Sequence, residues 1–373
     1  MIDTFRINFR YIILSTFAAL AATMTFVSCS KDPIREQQVD PPDPPDSTIT
    51  FSDGCFVLNE GNFNWGNASV TFFDYGTETV VDDLFNTVNK RSLGDVAESM
   101  NIFNGRGFIV VNNSGKIEVV SLTDFTSVKT IEGFNAPRYM EIIDSSKAYV
   151  TNLYGNISIL NLKSLEVTGN IPTSDWTEKM IRYNQYVFVT SIGQFNQATD
   201  ARHPKVYVIS AKEDQIIDSI VTGKEPVGMV IDKKDKIWVL CTGGWDGVEK
   251  PALYRIDPNL RQVEKKYTFP SDGTVPSRLC INPGKDTLYF LNKGICRMPV
   301  TSTALPETPF IETSGSNLYG LDINPYNGTI WVTDAGDYVQ NGKVYEYSPA
   351  TGALLRSFKA GRIPSAFAFT AAD

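Results

Sequence analysis

From residue 51 onward the chain alternates short apolar runs with turn-forming clusters, and no stretch keeps a helical period for long. One run recurs seven times as an apolar-aromatic-apolar core ending in a small or polar residue: CFVLN at 55, FIVVN at 108, AYVTN at 148, VFVTS at 187, IWVLC at 237, LYFLN at 288 and IWVTD at 330. Successive copies lie 39 to 53 residues apart. A second strand-like run follows each (VTFFD, IEVVS, ISILN, VYVIS, LYRID, ICRMP, VYEYS), and a third precedes most of them (SMNIF, YMEII, EKMIR, GMVID, RLCIN, GLDIN). A fourth, more polar set includes SVKTIEG, QIIDSIV and LLRSFKA. Four short strands per repeat of this length predict the blades of a β-propeller. The first repeat lacks its innermost strand, while SAFAF (365–369) is an innermost strand with nothing after it. Pairing the two completes a seventh blade and removes two open sheet edges. The expected fold class is therefore all-β, a seven-bladed β-propeller over residues 51–373, closed by the C-terminal strand on the N-terminal blade.

The first fifty residues read differently. Arg6 and Arg10 precede an apolar run from Tyr11 to Val27, the length of a signal-peptide core, which stops at FVSCSKD. A cysteine after small Ser28 resembles the lipobox of bacterial lipoproteins, which implies a signal peptide at 1–28 and an acylated Cys29. Residues 29–50 then form a linker with five prolines and no glycine. In polyproline geometry such a spacer of roughly 20 residues reaches about 60 Å.

Composition narrows the function. The net charge is −8 and becomes one unit more negative when residues 1–28, with Asp3, Arg6 and Arg10, are removed. An acidic surface argues against nucleic acid or anionic lipid as partner, leaving the lipid anchor as the expected membrane attachment. Cys55, Cys241, Cys280 and Cys296 contain no CxxC pair, and two of them fall within apolar strands, so buried free thiols are expected. His203 is the sole histidine, which disfavours histidine-based catalysis and a multi-histidine metal site. No intrinsic cofactor or metal is expected.

Repeats such as KAYVTNLYGNISILNLKSLEV and GKEPVGMVID resemble the YncE-like seven-bladed propellers along nearly the whole mature chain. The resemblance implies that the loops between the second and third strands of each blade share one face with the connections between blades. On that face the loops are long and aromatic: NEGNFNWGN (59–67), NLYGN, SIGQFNQATDARHP, CTGGWDGVEKP and DAGDYVQNG. The opposite face carries ordinary solvated turns such as DKKDK and NPGKD. Phe63, Trp65, Tyr154, Trp176, Phe195, Trp245, Tyr319 and Tyr338 are thereby expected around one mouth. Among them, Tyr319, like Tyr139, lies close to the innermost strands and is the more structural. Aromatic anchors interleaved with amides and arginines describe a surface for a broad, partly apolar ligand rich in hydrogen-bonding groups.

An exported lipoprotein with this repeat and this mouth resembles the BtuG-type surface lipoproteins of Bacteroidetes. That resemblance implies a cell-surface protein of the outer membrane that captures cobalamin and passes it to a TonB-dependent outer-membrane transporter. Asn62, Asn64, Gln194, Asn196 and Gln340 would serve the amides of a corrin, Arg138, Arg278 or Arg362 would meet its phosphate, and Asp246 beside Trp245 completes the expected binding set. Two other classes stay open. A glycan or another protein is a second candidate for the same mouth. A metal-dependent lactonase-type hydrolase would need a metal held by carboxylates and usually histidines at the channel, where the innermost strands offer only scattered Glu141, Asp232 and Asp322 and the sole His203 lies in a long loop. On that ground the chain is expected not to be an enzyme.

Overall fold

The computed structural model describes residues 51–193, 204–244, 247–271 and 273–371. Seven four-stranded antiparallel sheets account for the described strands. Their innermost strands are Ala97–Phe103, Pro137–Ile142, Thr177–Tyr183, Pro226–Ile231, Ser277–Ile281, Leu318–Ile323 and Pro364–Thr370. Each neighbours the next, and the last neighbours the first, around a central channel. The second strand of each blade is buried nearly end to end because it is sandwiched between adjacent sheets, as in Ile237–Cys241. The outermost strands alternate between exposed and covered, as in Glu166–Pro172. That difference in burial is why the second strands read as continuous apolar runs and the fourth as polar ones.

The ring closes as the repeat predicts. Gly54–Asn59 pairs with Ser69–Asp74 on one side and with Pro364–Thr370 on the other, placing Cys55 opposite Phe369 and Val57 opposite Phe367. The seam is packed by aromatics: Trp331, fully buried, meets Phe73, Phe358, Phe367 and Phe369 at centroid distances of 5.7–6.2 Å. One feature escapes the strand pattern. After a two-residue outer strand, Val80–Val81, the first blade continues into a short helix, Leu84–Asn89, whose Leu84 and Phe85 join the core around Phe51, Phe56 and Phe125. Cys55, Cys241, Cys280 and Cys296 are all buried free thiols.

Two regularities position the site. Each innermost strand begins beside the end of its second strand, with Ala97 opposite Val111, Pro137 opposite Asn152 and Thr177 opposite Ser191. Blade connections and the loops after the second strands therefore share one face. Directly after that first pair the register shifts in every innermost strand from Ala97 to Leu318, between Ala97 and Ser99, Pro137 and Met140, or Ser277 and Cys280, for example. A bulge there re-aims the side chains at the top of the strand.

Candidate ligand-binding mouth and throat

The loop after Asn59 is held out by polar bonds. Asn62 N donates to Asn67 Oδ1 (2.8 Å), Asn62 Nδ2 to the Tyr338 carbonyl (2.7 Å), Asn64 N to Asp95 Oδ2 (2.7 Å), and Asn113 Nδ2 to Asn64 Oδ1 (3.0 Å). The backbone is thus pinned to its neighbours while Phe63 and Trp65 remain 64% and 74% exposed. Asn62 and Asn64 hold the loop. Tyr338 and Tyr154 are 43% and 48% exposed on the same face. Each stands edge-on to a second ring: Tyr338 to Tyr319 at 5.8 Å, and Tyr154 to half-buried Trp176 at 5.6 Å. Gln340 is tied to Asp337. Arg362 is exposed and, with Asp82, Asn86 and Asn341, lines a groove of about 360 Å³ beside the first loop. Gln194, Phe195, Asn196, Trp245, Asp246 and Cys29 lie outside the described residues.

Arg138, Arg278 and Tyr319 sit lower, in the throat of the channel. The second residue of each innermost strand, taken around the ring, is Glu98, Arg138, Glu178, Val227, Arg278, Tyr319 and Ser365. Arg138 donates from Nη1 to Glu98 Oε2 at 2.5 Å and from Nε to both oxygens of Glu178 at 3.0–3.1 Å. Its charge is therefore bound between two carboxylates, which corrects the expectation that it is a free rim cation for a phosphate. Burial alone would lower its pKa, but Glu178 and Glu98 hold it above the ordinary range. Tyr139 Oη donates to Glu98 Oε1 (2.9 Å), and Tyr319 Oη to Glu60 Oε2 (3.1 Å). Arg278 donates from Nε to the Tyr319 carbonyl (2.7 Å) and lies over that ring at 5.0 Å. Lys179 Nζ stands 3.6 Å from the centroid of Tyr139.

Burial disturbs these groups. It pushes the Glu60 carboxyl up to about 7, assisted by Glu98 and opposed by Arg278 and Tyr319. It raises Asp322 to about 6 and Glu141 to about 7, and brings Lys179 down to about 8 with the help of Arg278. Asp232 is occupied elsewhere, accepting from the Trp238 indole at 2.8 Å. Sequence reasoning overlooked Glu60, Glu98, Glu178 and Lys179. Aligning the seven innermost strands on their first residue would have exposed the charged ring.

Residues 53–369 match the family described as "Domain of unknown function (DUF5074)". The chain belongs to this family. Among curated proteins, none matches the sequence. Solved structures of similar shape include a quinonprotein alcohol dehydrogenase-like protein from Bacteroides thetaiotaomicron, 20% identical, covering 87% of this chain and 79% of that one, with a TM-score of 0.63. A periplasmic gluconolactonase from Pseudomonas aeruginosa is 12% identical over 85% of this chain and 99% of its own, with a TM-score of 0.63. A candidate 6-phosphogluconolactonase from Bacteroides uniformis is 14% identical over the same shares, with a TM-score of 0.61. At these identities the likeness concerns fold. It nonetheless overturns the expectation that the chain is not an enzyme, because propellers of this shape include proteins described as lactonases. Scarcity of histidine was an insufficient ground, since a throat whose carboxyls titrate near neutrality offers acid-base groups without one.

Proposed function

We propose that this propeller captures a broad, partly apolar ligand on its loop-rich face, and that the ligand is cobalamin or a related corrinoid. In this reading Cys29 is acylated, the linker holds the propeller above the outer membrane at the cell surface, and the cargo passes to a TonB-dependent transporter. The observation that carries the reading is the pinned first loop. Its polar bonds fix the backbone while leaving Phe63 and Trp65 in water, an arrangement that solvent disfavours and that a ligand covering both rings would relieve. A corrin, wide and edged with amides, suits aromatic anchors flanked by polar groups. Calorimetric titration of the purified protein with cobalamin, beside a glycan panel, tests it. Saturable cobalamin binding supports the corrinoid, while glycan binding without it moves the reading to a surface glycan receptor.

A second reading, hydrolysis in the throat, is favoured by Glu60, whose carboxyl is pushed up to about 7 and bonds the Tyr319 hydroxyl. A group titrating there can act as acid or base at neutral pH. Turnover of sugar lactones by the parent protein and its loss in Glu60→Gln would support this reading. An inactive parent would remove it.

A further inference from the structure

The charges of the throat do not cancel locally. On one side, Glu98, Arg138 and Glu178 form a closed triad in which every charge has a partner. Two cations remain, Arg278 and Lys179, and among the described residues neither makes an ion pair. Arg278 donates from Nε to a backbone carbonyl and stacks on Tyr319, and among the described residues its terminal nitrogens make no hydrogen bond. Among the described residues the Lys179 ammonium makes no hydrogen bond; it lies over the face of Tyr139, with Asp322, Glu98 and Glu178 acting on it at longer range. Both line one cavity of about 280 Å³, bordered by Glu98, Ser99, Tyr139 and Asp322. Arg278 also lines a second cavity of about 290 Å³ toward Tyr319 and Glu178.

The backbone adds an independent sign. Arg278 adopts a left-handed φ of 56° inside an innermost strand. In four other blades the left-handed residue immediately precedes the strand, at Val96, Ala136, Glu225 and Ile363. A non-glycine residue in this region is strained, and such strain concentrates where a side chain must be aimed.

We propose that the throat is a receptor for a carboxylate or phosphate group, seated between Arg278 and Lys179. A guanidinium with free terminal nitrogens offers the fork that an oxyanion accepts in bidentate fashion, and the ammonium supplies a point charge from the neighbouring wall. Of the remaining carboxyls that face the pair, burial pushes Glu60 up to about 7 and Asp322 to about 6, Glu98 and Glu178 are bound to Arg138, and among the described residues none of the four forms an ion pair with Arg278 or Lys179. Burial and Arg278 bring the Lys179 ammonium down even though Asp322, Glu98 and Glu178 pull it up, so the nearby carboxylates offset its burial only in part. The cavity accommodates a small organic acid or the anionic end of a larger ligand resting on the mouth. The proposal does not rest on the corrinoid reading.

The test titrates the purified protein with inorganic phosphate and with citrate at low ionic strength, by calorimetry and by nuclear magnetic resonance of the lysine ammonium groups. Saturable binding at millimolar concentration or tighter is expected, together with an upward shift in the titration of Lys179. Arg278→Gln and Lys179→Met should each weaken binding at least about tenfold, the loss expected for one charge-assisted contact. Lys233→Ala on the opposite face should leave it unchanged. Lys179→Met keeps an apolar stem over Tyr139, so it reports even if Arg278→Gln fails to fold. If cobalamin also binds, displacement of it by phosphate identifies the anionic end of the larger ligand as the natural occupant. Simultaneous binding identifies a free small acid. Absence of binding by both probes, or binding indifferent to both substitutions, overturns the proposal whatever the result with cobalamin.

Discussion

Replacing Trp65 by alanine separates a ligand anchor from a packing residue. The side chain is 74% exposed, and an indole presents on the order of 200–250 Å². A broad ligand that covers a little over half of the exposed part removes about 100 Å² from water. At roughly 25 cal/mol per Å² that is about 2.5 kcal/mol, or some sixtyfold in Kd. The folded protein should barely notice, with a change within about 0.5 kcal/mol, because the loop is fixed by the bonds of Asn62, Asn64 and Asp95. Calorimetry with cobalamin on Trp65→Ala, Phe63→Ala and Lys233→Ala, each paired with a thermal melt, checks both halves. The first two variants should lose affinity at constant Tm, while Lys233→Ala, on the opposite face in a 3.1 Å pair with Asp286, should match the parent. Unchanged affinity in both aromatic variants, or a loss that tracks a fall in Tm, would refute the anchor argument.

Other outcomes follow from the ring and its channel. Deleting residues 364–373 removes the innermost strand of the first blade and exposes the edge of Gly54–Asn59, so cooperative unfolding should be lost, and a melt superimposable on the parent's would contradict the closure. Trp331→Ala should cost about 3–5 kcal/mol, read as a lower denaturant midpoint, because the indole is fully buried at the seam. Glu60, Glu141 and Asp322 have folded pKa values raised above their ordinary ones, to about 7, 7 and 6, so the folded state binds more protons. Stability should therefore fall as pH rises from about 5 to 7.5, and Glu60→Gln should flatten that slope in urea titrations; a slope of opposite sign would contradict it. Cys29→Ala should release the protein from the membrane fraction, and unchanged partitioning would indicate that the apolar run at 11–27 is itself the anchor.

The blades were legible because burial leaves a clear mark on them. A strand sandwiched between two sheets has to be apolar throughout, so CFVLN and IWVTD announce themselves at every repeat, and the orphan SAFAF announces the seam. The loop face was legible for the same reason in reverse, since Phe63 and Trp65 are conspicuous among asparagines and glycines. The throat was not. Four of its charges, Glu98, Arg138, Glu178 and Arg278, take the same position in four innermost strands 40 to 100 residues apart, and each alone looks like a polar strand end. Arg138 illustrates the difficulty, because its partners Glu98 and Glu178 lie 40 residues away on either side and meet it only when the ring forms. The helix Leu84–Asn89 is too short to imprint a period, and it owes its place to Leu84 and Phe85 entering the core.

The mouth and the throat make different demands on a ligand, and their combination is more selective than either. Exposed rings reward any flat apolar surface, with little discrimination among corrinoids, sugars and aromatic compounds. The throat rewards only a group that brings negative charge within reach of Arg278 and Lys179, and it penalises a cation there by leaving three positive charges together beside Arg138. Because consecutive blades lock each other through fully buried second strands, neither zone can adapt much to a poor fit. A ligand that satisfies both must carry an apolar or amide-edged body as wide as the mouth and an anionic group that reaches down the axis. A neutral ligand of the same width would engage the rim alone, and its affinity should then be insensitive to Arg278→Gln while still falling in Trp65→Ala.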